Sequence, residues 1–180
     1  MSDPASGLVL DRLKFSSRTE RAVEIDRCPV VDVYHHQLVV AVSITLPHIK
    51  QLPPNAPRIP AVLDTGFNDN LLITERQLEE WAQLPSGRLR KKAIVTDGVA
   101  LRDAKLWLHR NVPLSRTAYL DSDPLPLELK RGIWVAQEEH GKRLPILGLK
   151  ALADNRLSIV INTVEEHLTL EQNESAVKVS

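Results

Sequence analysis

The chain reads as a mainly β fold with one or two short helices. Three observations lead there. Aliphatic and β-branched residues recur in several short runs, with alternation clearest from Val40 to Leu46. Turn residues punctuate those runs, from the prolines at 47, 53, 54, 57 and 60 to the Asp97-Gly98 pair. Helical spacing is confined to brief stretches after Thr74 and after Gly148.

The 180 residues are enough for one domain with a substantial core, and 43% hydrophobic content excludes a disordered chain. The 23 basic and 23 acidic side chains balance to a net charge of zero. That argues against a general nucleic-acid or anionic-membrane binder, which needs a basic surplus. Arg88, Arg90, Lys91 and Lys92 form a local basic run, of the kind that is usually a solvated face. Cys28 is the single cysteine, so no disulfide can form within the chain and a reducing, cytoplasmic setting is expected. No apolar stretch approaches the roughly eighteen residues of a membrane span.

In order along the chain, residues 1–20 have no clear period and are expected to form an extension, partly ordered against a domain over 21–170. From Val30 to Leu46 strand formers dominate, interrupted by Tyr34-His35-His36-Gln37, which is expected to turn a hairpin. Adjacent histidines on a strand point to opposite faces, and no Cys, His or carboxylate spacing accompanies them, so no metal site is expected. The five prolines from 47 to 60 make a loop that delivers the chain to a strand at Ala61–Leu63. Thr74 and Gln77 stand in capping-box spacing, and Leu78, Trp81 and Leu84 follow on one helical face until Pro85-Ser86-Gly87. Trp81 on that stripe is expected in the core.

Lys92 to Leu108 reads as a hairpin turning at Thr96-Asp97-Gly98, with Ala104, Leu106 and Leu108 on one face of its second arm and Trp107 on the other. Residues 111–130 form an irregular excursion with no evident chemical role. Ile133-Trp134-Val135 is a further strand. A short helix starts at Leu149 and ends near Asn155. Strands follow through Leu157, Ile159 and Ile161 and through Leu168 and Leu170, and residues 171–180 form a polar tail.

The chemistry concentrates at Ala61-Val62-Leu63-Asp64-Thr65-Gly66-Phe67-Asn68-Asp69-Asn70-Leu71-Leu72-Ile73. Asp-Thr-Gly alone is an ordinary turn. Set between two apolar runs, however, the carboxylate tends to leave water, which is costly unless it is hydrogen-bonded or shares a proton. A second apolar run ending in glycine lies downstream, at Leu144-Pro145-Ile146-Leu147-Gly148-Leu149.

Together, and in this order, the two segments resemble the core of retropepsin-like aspartic peptidases, from about residue 37 to 170. The resemblance implies a closed acid-protease β-barrel assembled as a C2 homodimer, with a polypeptide substrate and no cofactor. The chain carries one Asp-Thr-Gly loop where pepsin-type enzymes carry two, so each subunit would supply one Asp64 to a shared pair. By position, Asp64 would be the catalytic carboxylate and Thr65 would hydrogen-bond across the two-fold axis. Gly66 would place its N–H near the carboxylate. Thr96, Asp97 and Gly98 would form the flap, and Ile146-Leu147-Gly148 would pack behind the loop. Phe67 departs from the small residue usual in retroviral enzymes, and the flap has only Gly98 in place of several glycines. A non-catalytic dimeric binding or scaffold domain on the same fold remains the alternative.

Overall fold

Alternation in the sequence becomes strand pairing in the computed structural model, which describes residues 7–14, 21–23, 31–35, 37–96, 98–110, 124–137 and 144–173. The elements in chain order are β1 (Leu8–Lys14), β2 (Arg21–Val23), β3 (Val31–Val33), β4 (Val39–Thr45), β5 (Ile59–Asp64), β6 (Leu71–Thr74) and α1 (Glu75–Glu80). They continue as β7 (Lys91–Thr96), β8 (Val99–Arg102), β9 (Lys105–Leu108), β10 (Leu125–Leu127), β11 (Ile133–Ala136), β12 (Ile146–Gly148), α2 (Leu149–Asp154), β13 (Leu157–Asn162) and β14 (His167–Gln172). The fold is mainly β with two short helices, as the sequence predicts.

Nine strands form one sheet in the order β10-β9-β4-β5-β12-β6-β11-β8-β7. Among the described residues no pairing joins β10 to β7, so the described strands pair in open order and do not themselves close a barrel. Near the site, β12 lies between β5 and β6, parallel to β5 and antiparallel to β6. Paired residues share a face, so the register sorts the side chains. Ala61, Leu63, Leu71, Ile73, Ile133, Val135 and Leu147 are buried on one face and make the core. Val62, Ile146, Leu72, Trp134 and Leu101 form a row across the other face, each half-buried.

Several local expectations are corrected. Tyr34 to Gln37 does turn, with the Gln37 N–H donating to the Tyr34 carbonyl at 3.2 Å. No hairpin results, because β3 pairs with β2 in a separate two-stranded sheet while β4 joins the large one. His36 of that segment lies outside the described residues. β5 starts before Ala61 and includes Pro60, which pairs with Ala41. Its missing N–H is tolerated because the register of β12 starts only at Val62.

The capping box forms: Thr74 Oγ1 accepts from the Gln77 N–H and the Thr74 N–H donates to Gln77 Oε1, both at 3.1 Å. The helix nevertheless stops at Glu80, and the chain reaches buried Leu84 through Gln83 at a φ of 52°. The hairpin's second arm ends at Arg102, and Lys105–Leu108 departs as β9 to pair with β4 and β10. Trp107 is only 3% exposed, its Nε1–H donating to Thr45 Oγ1 at 2.9 Å, so both faces of β9 are covered.

A second sheet pairs β1, β14 and β13. β1 falls inside the segment expected as an extension, and its Val9 and Leu10 join the core. β14 runs through Gln172, and residues 174–180 of the expected tail lie outside the described residues. Residues 111–123 of the expected excursion do so too, while 125–127 form β10.

Candidate active site

Asp64 ends β5, half-buried, beside Gly148 at the end of β12. Its Oδ1 accepts the Gly66 N–H at 2.8 Å, which holds the carboxylate in one orientation. The turn closes with the Phe67 N–H donating to the Asp64 carbonyl at 3.3 Å. A Cβ on Gly66 would lie 3.2 Å from Asp64 Oδ1, crowding that acceptor. Thr65 and Gly66 are exposed at the tip. Asp64 and Val62 are alternate residues of one strand, so Asp64 lies on the half-buried face, not the core face.

The polar gap after the turn is a structural joint. Asn70 is fully buried; its Nδ2 donates to the Gly132 carbonyl at 3.0 Å, and its carbonyl accepts the Gly148 N–H at 2.9 Å. The Leu149 N–H donates to the Phe67 carbonyl at 2.9 Å. Gly148 therefore sits under the loop. A Cβ there would run into the carbonyl oxygens of Asp69 and Phe67 and come within 2.6 Å of Phe67 Cδ1. The Phe67 ring meets Trp134 edge to face, with centroids 6.3 Å apart and planes at 83°. Arg131 lies 3.4 Å from Asp69 at the rim. Asn70 and Trp134 are the residues that the sequence pattern missed. A lone Asn among polar neighbours looks solvated, and the side-chain partners of both, Gly132 and Phe67, lie more than sixty residues away in sequence.

The hairpin residues sit differently. Thr96 closes β7, Asp97 lies outside the described residues, and Gly98 turns at a φ of 76°. In register, Val99 pairs with Ala136, which pairs with Thr74. The turn thus extends from the Thr74 end of β6, whereas the Asp64 loop enters at the Leu71 end.

One other pairing has the elements of a nucleophile and fails as one. Ser43 Oγ lies 2.8 Å from His109 Nε2, but it donates to the Pro57 carbonyl at 2.7 Å and is fully buried. Its proton is committed and substrate cannot reach it. Among the described residues no group of three or more His, Cys, Asp or Glu could hold a metal ion, and no helix is long and apolar enough to cross a membrane. The basic run is a solvated face partly neutralised by Asp103, which lies 2.8 Å from both Arg90 Nε and Lys92 Nζ. Burial pushes the Asp103 carboxyl up, but hydrogen bonds and charge from Lys92 and Arg90 outweigh it and hold the group below its ordinary value.

No protein-family model and no curated protein matches the chain. Among solved structures it is similar to a retropepsin-like aspartic protease from Rickettsia conorii, with 11% identity and a TM-score of 0.36 over 75% of this chain and 81% of that one. At that TM-score the likeness does not establish a common fold.

Proposed function

We propose that the chain is an aspartic endopeptidase in which two Asp64 carboxylates, one from each subunit of a C2 homodimer, activate a water against a peptide bond. One observation carries this reading. Asp64 is held by the Gly66 N–H at a strand end, on a half-buried apolar face, by a loop fixed from below through Gly148 and Asn70. An ordinary surface turn needs no such support.

Two carboxylates about 3 Å apart cannot both ionise easily, so they share a proton. The ionised member takes a proton from the attacking water. The protonated member donates to the carbonyl oxygen, and proton transfer then releases the amine. In this reading Thr65 hydrogen-bonds across the two-fold axis, which its exposure at the tip supports. Strand β13 supports assembly: among the described residues it is an uncharged sheet edge with Val160 57% and Ile161 47% exposed, beside Val164 at 90%. Edges of that kind pair readily with another chain. The β7–β8 hairpin, with Thr96, Asp97 and Gly98 at its turn and Ile94 68% exposed, is proposed as the cover over bound polypeptide. The single Cys28 favours a cytoplasmic setting.

The test is hydrolysis of a peptide library by the wild type and by Asp64→Asn, with sedimentation over a dilution series. The amide cannot act as base, so cleavage should fall by roughly 10³-fold while the dimer persists. Wild-type cleavage by the purified variant, or full activity in a proven monomer, would sink the proposal. Peptide binding without any cleavage would place the chain among non-catalytic binding domains.

A further inference from the structure

We infer that Phe67, backed by Trp134, limits the size of the side chain that can sit beside Asp64, so that the site selects peptides with small residues at the scissile bond; this rests on the peptidase reading above. The face that carries Asp64 is apolar. Val62, Ile146, Leu72, Trp134 and Leu101 form its cross-strand row, all half-buried. Such a surface next to a reacting carboxylate takes apolar side chains, and its free depth sets which ones.

Phe67 lies on this face, with its backbone tied at both ends and its ring in contact with two strands. Its N–H is tied to the Asp64 carbonyl and its own carbonyl accepts the Leu149 N–H. Its ring rests on Gly148 of β12 and meets Trp134 of β11 edge to face. β6 lies between those two strands, so the ring crosses the start of β6 on the side where Leu72 projects. In register, the members of the row nearest Asp64 are Val62 and Ile146, which pair two residues before Asp64 and Gly148. A residue with a small side chain fits against these two, whereas an aromatic one meets the Phe67 ring.

The experiment measures kcat/KM for peptide pairs that differ only in Ala or Phe at the residues flanking the scissile bond. The wild type should favour Ala by about tenfold or more, the discrimination a filled apolar pocket gives. Phe67→Ala should shift the ratio toward Phe by about that factor. Phe67→Leu, a milder change that keeps an apolar contact on Gly148, should shift it in the same direction by less. A wild type that prefers Phe overturns the inference, as does an unchanged ratio in active variants, and either result leaves the peptidase reading standing. If the wild type cleaves no peptide and matches Asp64→Asn, both fall.

Discussion

The Asp64 loop and the β7–β8 hairpin are both turns between strands, yet opposite forces hold them. The loop is fixed by its surroundings. Three chain segments meet there, the Gly148 N–H reaching the Asn70 carbonyl and the Asn70 amide reaching the Gly132 carbonyl, with little solvent between them. The hairpin is held mainly by its own two strands, by the pairing of β8 with β11, and by ion pairs at its base. Residues 91–94 of its outer strand are exposed. One region is fixed by buried contacts between distant segments, and the other presents the exposed outer strand β7 at the edge of the described sheet.

Two glycines make the difference measurable. Gly148 has an ordinary φ of −101°, and its lack of a side chain matters because backbone carbonyls occupy the space. Carbonyls of a packed loop cannot move aside cheaply. Gly148→Ala should destabilise the fold by about 3 kcal/mol, the upper end of overpacking costs. It should also cut the proposed peptidase activity, because displacing Phe67 and Asp69 moves the turn that orients Asp64. Urea denaturation with an activity assay checks both, and a stability within about 0.5 kcal/mol of wild type would show that the loop is not held from below.

Gly98 is needed for the other reason. At a φ of 76° its nearest neighbour to a Cβ would be 4.0 Å away, so space is free and only backbone conformation is strained. Gly98→Ala should cost about 1 kcal/mol, and Gly98→Asn should recover much of that because Asn tolerates left-handed backbone. If the hairpin covers substrate, Gly98→Ala also lowers kcat/KM well below the melting temperature. Unchanged kcat/KM would make it an ordinary surface hairpin.

The same contrast explains what was legible in the sequence. Signals carried by neighbouring residues were readable: the Thr74–Gln77 capping box, the turn before Gly98, and the alternation of β13 and β14. The glycine after Ile146-Leu147 could be found by pattern, and its reason appears only when β12 slots beside β5. What failed was whatever depended on partners distant in sequence. β3 and β4 alternate like the arms of one hairpin but belong to different sheets. The stripe of Leu78, Trp81 and Leu84 looks like one helix, yet Leu84 reaches the core after the helix has ended, because burial can be met by a turn through Gln83. Asn70 looked like part of a solvated gap because its one side-chain partner lies on the far side of β6.

The smallest expected effect is at the hairpin base, where charge takes the place of packing. Asp103 is 16% exposed and faces Lys92, at 29%, and Arg90, at 80%. Its N–H also donates to the Arg90 carbonyl at 2.9 Å, so side chain and backbone close the same junction. Because the folded state lowers this carboxyl's pKa, the ion pairs add stability above the unfolded value near about 3.9 and lose it as pH falls through the folded value. Arg90 is largely in water, which screens its share. Asp103→Asn should therefore cost about 0.5–1 kcal/mol at neutral pH. The gap between the two melting temperatures should stay constant down to the ordinary Asp range and close below it. Added salt should narrow it at neutral pH. A gap that persists unchanged in acid would mean that Asp103 acts through shape and hydrogen bonding alone, and that the hairpin, like the loop, is held by packing after all.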